Sequence, residues 1–301
     1  MNRLHNTWYR LTRKIAGLLV NLIPSSWVPK LSDFCLRSRL RLQERDRQLV
    51  SRKSTFDLSH FTNVDGQPLT FSVMENDEPW EDIIVPECQT PGMLTEAEKK
   101  YYLYISGFVS GKGSVVEVGT WLGMSTFFIA NGLKRNPRFK GKLVCFDDFV
   151  WRETSMGKWV SHLEDFEKPD HLGSFHPLFQ SYLELGGNTE IVESHRQKVA
   201  DYYGNESLPT LEWTGEPIEL AIIDCGRELG VNLGWYELLS GSFIANQTLV
   251  VMQDWQNHKR VPEIPWENTK IFTDGLGNAL KLVHEVRAAG IATFLFCGKD
   301  T

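Results

Sequence analysis

The chain has 301 residues, 42% of them apolar and 23% charged, with a net charge of −6. That composition excludes a disordered, collagenous or disulfide-scaffold protein and leaves room for a sizeable core in one large α/β domain plus an extension. The charge is uneven: residues 1–53 hold twelve Lys/Arg against three Asp/Glu, a balance of +9 that leaves −15 on the remainder.

In chain order, residues 1–53 form a basic amphipathic helical extension. Leu4, Trp8, Leu11, Ile15, Leu18, Leu19 and Leu22 share one helical face, with Arg3, Arg10, Arg13 and Lys14 opposite. The run "IAGLLVNLI" is too short to span a bilayer and Pro24 closes it; without a small-residue cleavage site after it, it is not a signal peptide. A second basic stretch, "RSRLRLQERDRQLVSRK", continues the helix to about Lys53. The arm's partner stays open between a membrane interface, a second subunit in a homodimer and the body itself. Residues 54–89 are a turn-rich linking segment that wraps the core.

From residue 90 onward strands alternate with helices. "LTEAEKKYYLYISGFV" opens with a capping box, Thr95 with Glu98 three residues on. The strand "SVVEVG", the helix "STFFIANGLKRN" and the strand "GKLVCFDDF" follow, then a polar stretch over 152–188. Beyond it come a strand "TEIVES", a helix "HRQKVADYY", a strand "IELAIIDCG", a helix around 229–243 and a strand "QTLVVMQDW". The tail "LKLVHEVRAAGIATFLFCG" is two strands joined by a four-residue turn. This predicts a Rossmann-like, doubly wound α/β fold with a seven-stranded sheet closed by an antiparallel hairpin. The five cysteines stand singly, with no metal-ligand spacing, which suits a reducing cytoplasm.

In such sheets ligands bind beyond the carboxyl ends of the strands. Those ends carry Glu117, Gly119 and Gly123; Asp147 and Asp148; Ser194 and His195; Asp224; and Gln253, Asp254 and, a turn later, His258. The glycines permit a tight turn and close approach. The amides of Ser125 and Thr126 open a helix whose N-terminus favours a carboxylate, and Asp147 could accept both hydroxyl hydrogens of a ribose. The spacing meets neither the dinucleotide fingerprint nor the phosphate-loop pattern.

The ordered set E-x-G-x-x-x-G-x-S-T, an acidic second strand end, "IIDCG" and "VVMQDW" resembles class I S-adenosylmethionine-dependent methyltransferases. Within them it is similar to the macrocin-type O-methyltransferases and related bacterial enzymes of polysaccharide and secondary-metabolite pathways. The lead-in "TPGMLTEAEKKYYLYI", "FDDFVW", "WTGEPIEL" and the closing hairpin share that resemblance, which spans residues 90–298.

The resemblance implies that Glu117, Gly119, Thr120, Gly123, Ser125 and Thr126 surround the methionine part of S-adenosylmethionine. Asp147 would take its ribose, Ser194 and His195 its adenine, and Asp224 its amino group, while Pro91 to Leu94 would close over it. The methyl group would pass to a hydroxyl, or less expectedly an amine, of a sugar, glycan or other small molecule. Asp224, Asp254 and His258 are the base candidates. The branch also implies Mg²⁺ on Asp224 and Asp254, although Gln253 stands where another carboxylate is usual. Trp151, Trp159, His162, His171 and His176, with Trp255 and Trp266 on a polar loop over 255–270 that also carries His258, suit either a sugar platform or a cofactor lid. Nucleic acid is disfavoured by the acidic body. The alternative functions are an inactive cofactor-binding scaffold and a secondary-metabolism enzyme whose N-terminal helices dimerise. The expected location is the cytoplasm, with the arm available for the inner membrane face.

Overall fold

The computed structural model describes residues 57–73, 78–260, 264–287 and 289–298, with the side chains of 264–266 excepted. The helical extension expected over 1–53 lies outside the described residues. Seven strands form one sheet in the order β3-β2-β1-β4-β5-β7-β6. They are β1 (Ser114–Val118), β2 (Leu143–Asp147), β3 (Val192–Arg196), β4 (Ile218–Ile223), β5 (Leu249–Met252), β6 (Leu280–Glu285) and β7 (Ala292–Phe296). The first five run parallel, and β7 is antiparallel to both β5 and β6. The hairpin connection is six residues, 286–291, rather than four.

Among the described residues the α-helices are α1 (Glu96–Ser106), α2 (Met124–Lys134), α3 (Glu153–Val160), α4 (His176–Leu185), α5 (Leu229–Leu239) and α6 (Ile264–Gly275). Strands β4 and β5 are buried at every position, as a sheet covered on both faces requires. On one face Val116, Val118, Phe146, Ala221, Ile223 and Val250 pack with Trp235, Leu239 and Phe272 of α5 and α6. Strand alternation therefore sends Glu117 to the other face, where it meets the hydroxyls that open α2.

The capping box forms as expected. Thr95 accepts from the Glu98 amide at 3.3 Å, and Glu98 accepts from the Thr95 amide at 2.8 Å. The linking segment does more than wrap. Trp80 is 1% exposed and meets Tyr101 edge-on at 4.7 Å, while Ser72 pairs with His284 on β6. Residues 57–301 form one compact unit.

Two local expectations fail. The helix over 195–203 is absent: β3 runs on through Arg196, and Lys198 then pairs with Thr210. The buried Lys198 ammonium bonds the carbonyls of Asn205 and Glu206, and backbone bonds between Lys198 and both Pro209 and Leu211 close the loop in place of a helical ladder. The stretch 255–270, expected as a loop, contains a short 3-10 turn (Trp255–Lys259) and the start of α6.

Candidate functional site

The strand order switches between β1 and β4, and the ladder continues past the strand ends. Gln197 donates to the Asp147 carbonyl (2.9 Å), Gly119 to Phe146 (2.8 Å), Asp224 to Val118 (2.8 Å) and Gln253 to Ile223 (3.0 Å). Asp147, Gly119, Asp224 and Gln253 thus sit on neighbouring rungs at one rim of the sheet. Five described residues other than glycine adopt positive φ, and three of them lie just beyond these strand ends: Trp121 (44°), Phe149 (50°) and Asp254 (61°). Left-handed backbone thus gathers at this rim, as it does at ligand-binding crevices.

The β1–α2 turn is built inward. Gly119 has φ 86°, and a Cβ there would stand 2.4 Å from the Asp224 carbonyl oxygen, so the residue is glycine because two strand ends cross closely. Glu117 is 0% exposed. It accepts from Ser125 Oγ at 2.5 Å and Thr126 Oγ1 at 2.6 Å, with Cys145 Sγ at 3.5 Å. Burial pushes its carboxyl up to about 7 against those bonds. Glu117, Ser125 and Thr126 were expected against a ligand, and their side chains are spent on one another. The space beside Gly123 is likewise filled, by the Phe179 ring, 2.9 Å from where a Cβ would stand.

Asp147 joins the turns after β1 and β2. Its Oδ2 accepts from the amides of Thr120 (2.8 Å) and Trp121 (3.1 Å), and its Oδ1 from Phe149 (2.7 Å). With two lone pairs on each oxygen, only one acceptor position remains, so it can take one ribose hydroxyl and not both. Burial and the adjacent Asp148 push its carboxyl up to about 6, while the three amides pull the other way. Asp148 is held by Arg152 Nη2 at 2.7 Å and Asn205 Nδ2 at 2.9 Å.

Ser194 and His195 lie inside β3 rather than at its end, because Arg196 is the residue level with Asp147. They also point to opposite faces. Ser194 Oγ is bonded by Gln180 (2.6 Å) and His176 (2.8 Å), whereas His195 stacks on Phe146 at 5.1 Å.

Asp224 is exposed at the switch point. The protein crowded around it and the neighbouring Asp254 hold its carboxyl well above the usual carboxylate range. Asp254 is engaged on both oxygens: Arg227 Nε donates to Oδ2 at 3.0 Å together with Nη2, and Asn257 donates to Oδ1 at 2.7 Å. His258 is not a loop residue open to solvent. It is 7% exposed in the 3-10 turn, its Nδ1 2.6 Å from the Trp255 carbonyl oxygen. Trp151 (0%) and Trp255 (5%) are core residues, while Trp159 is exposed; the Trp266 side chain lies outside those described.

Four contributions could not be read from the sequence, one of them a second role for Glu98. Tyr102, fully buried, donates to Gln253 Oε1 at 2.7 Å, and Gln253 Nε2 donates to Glu98 Oε1 at 2.8 Å, where the Gly290 amide also lands. Glu98 therefore caps a helix with one oxygen and clamps the end of β5 with the other. Arg227 is the third newcomer. The fourth is Trp121, whose buried indole N–H has no partner among the described residues. Pro91 to Leu94 does reach the turn: a Cβ on Gly92 would stand 2.6 Å from Met124 Cβ, the first residue of α2.

The crevice fits S-adenosylmethionine: it combines an exposed carboxylate at the switch point, one spare acceptor on Asp147 and an orphaned indole donor at the first turn. It does not fit Mg²⁺. Asp254 already carries a guanidinium, Gln253 is committed to Tyr102 and Glu98, and no group of three or more His, Cys, Asp or Glu among the described residues is arranged for a metal.

Residues 116–255, from inside β1 to just past β5, match the sequence model of a family described as a methyltransferase domain. No curated protein matches the chain. The cofactor-bound protein Rv0187 from MTB is 17% identical over 69% of this chain and 84% of its own, with a TM-score of 0.45. The O-methyltransferase NovP is 13% identical over 69% and 83%, at 0.46. The O-methyltransferase from Bacillus cereus, in complex with SAH, is 12% identical over 68% and 83%, at 0.41.

Proposed function

We propose that this chain, whose residues 116–255 match a methyltransferase domain, uses S-adenosylmethionine to methylate a hydroxyl group of a sugar, glycan or other small molecule, with Asp224 as the base. The observation that carries this is the span of the family match, 116–255, which takes in every polar strand end of the parallel sheet.

S-adenosylmethionine supplies a methyl group on a sulfonium: its carbon–sulfur bond breaks as the carbon–oxygen bond forms, and sulfur keeps the electron pair as a neutral thioether. The residues of this chain bind, orient and move the proton. Asp147 holds a ribose hydroxyl through its remaining lone pair. The strained turn at Gly119 and Trp121 lines the methionine end, with Glu117 fixing that turn from beneath. Asp224, exposed at the switch point, takes the acceptor's proton. In its ionised form a carboxylate of raised pKa is a stronger proton acceptor than an ordinary one, and alignment of the acceptor supplies further acceleration.

His258 is left out of the mechanism because its ring is buried against its own turn. Residues 1–53 serve as a docking arm at an anionic membrane face, where twelve basic residues would gather. Flotation with anionic liposomes tests that arm: a chain starting near Ser54 that still floats removes it as the anchor. Among the described residues no helix is long and apolar enough to cross a membrane.

The function is tested by calorimetric titration of S-adenosylmethionine into the purified chain beside Asp147→Ala. Micromolar binding that the variant weakens about tenfold or more supports the reading; no binding by the wild-type chain ends it.

A further inference from the structure

The β4–β5 corner holds the two carboxylates on which a divalent cation would depend, Asp224 and Asp254. Arg227, three residues after Asp224 on the same loop, donates to Asp254 from both Nε (3.0 Å) and Nη2, and Asn257 takes the other oxygen at 2.7 Å. This two-pronged hold on one carboxylate oxygen is charge-assisted. The Arg227 side chain is 45% exposed and that of Asp254 20%, so the pair stands at the crevice and not in the core. Gln253, one residue before Asp254, is neutral and held at both ends of its amide, its oxygen accepting from Tyr102 at 2.7 Å and its nitrogen donating to Glu98 at 2.8 Å. A carboxylate at position 253 would face the 4%-exposed Glu98 directly.

We infer that Arg227, bound to Asp254 beside Asp224, takes the place of a divalent cation at this pair of carboxylates, so that this site works without a metal and a guanidinium supplies the positive charge near the reacting oxygen. The reaction named rests on the methyltransferase reading; the substitution of charge rests on geometry alone. A divalent ion seeks several charged oxygens. Here one of the two carboxylates is already neutralised by a fixed cation that would repel a second. Arg227 is thus a positioning residue: it holds Asp254 and sets the local field, while Asp224 handles the proton.

The test titrates Mn²⁺ into the full chain, with and without S-adenosylhomocysteine, and follows free Mn²⁺ by electron paramagnetic resonance. The wild-type chain and Arg227→Lys should bind weakly. Arg227→Ala, which frees Asp254 beside Asp224, should bind about tenfold tighter or more, and Arg227→Ala/Asp254→Asn should lose the gain. Micromolar Mn²⁺ binding by the wild-type chain that Asp254→Asn abolishes overturns the inference, as does an Arg227→Ala chain with unchanged melting and no gain. S-adenosylhomocysteine affinity in the same samples reports separately on the methyltransferase reading. If none of the proteins binds it, that reading fails and the Mn²⁺ result still decides the role of Arg227.

Discussion

The two sides of the crevice use carboxylates in opposite ways. On the β1–β2 side Glu117 and Asp147 are enclosed by the protein's own donors, two hydroxyls and a thiol on one and three backbone amides on the other. On the β4–β5 side Asp224 stands exposed and Asp254 is held by a half-exposed arginine. The difference lies in what the chain does after each strand. The turn after β1 doubles back through left-handed residues and aims amides inward at Asp147, whereas the loop after β4 leads outward to Arg227 before α5 begins. One side encloses both of its acids, and the other leaves Asp224 open to the crevice.

The strongest way to break this contrast is at Gly119, where the two sides touch. Gly119→Ala sets a Cβ 2.4 Å from the Asp224 carbonyl at φ 86°. Strain plus overpacking should cost about 3 kcal/mol or more, read as a lower urea midpoint together with lost S-adenosylmethionine binding. An unchanged midpoint would mean the crossing of β1 and β4 is loose.

The enclosed side should also show in the pH dependence of stability. The Glu117 carboxyl is raised from 4.5 to about 7 by burial, so the folded chain holds this proton more tightly than the unfolded chain. Its contribution is complete below pH 4.5 and is lost as pH rises through 7. Glu117→Gln removes that loss, so between pH 4.5 and 7 the variant should gain on wild type by up to about 3 kcal/mol, seen as diverging thermal midpoints. Parallel curves would show that Glu117 does not titrate there.

A paired substitution sharpens the contrast further. Asp147→Ala strands three amides and should lower stability by about 2 kcal/mol. Asp224→Asn should not lower the thermal midpoint, because a carboxyl held above its usual range gains from losing its charge, while turnover of an acceptor falls about a hundredfold or more. Loss of stability in Asp224→Asn, or its full turnover, removes the base assignment.

Particular residues show how far the sequence could be read. Thr95 and Glu98 announced the start of α1 because a capping box is local, four residues long and carried by side chains of fixed reach. The second hold of Glu98, on Gln253 and Gly290, spans more than 150 positions and leaves no local trace. Trp151 and Trp255 resembled a platform because aromatic residues in polar stretches look exposed, yet both fill the core. His258 misled for the same reason: its neighbours Asn257 and Lys259 are polar, but the 3-10 turn rotates its ring inward. The helix expected after β3 failed because the chain there pairs Lys198 with Thr210 and the Lys198 ammonium bonds the carbonyls of Asn205 and Glu206, contacts made with residues further along the loop.

By itself the sequence determined the alternation of strands and helices, the seven-stranded sheet with its closing hairpin and the run of polar residues at the strand ends. Those features follow from period, burial and turn chemistry, which act over a few residues at a time. Only the tertiary structure decided which acids are spent and which remain. Whether Glu117 meets Ser125, Asp147 meets three amides or Asp254 meets Arg227 depends on strand crossings and loop paths, and a carboxylate's chemistry is set by the donors that reach it.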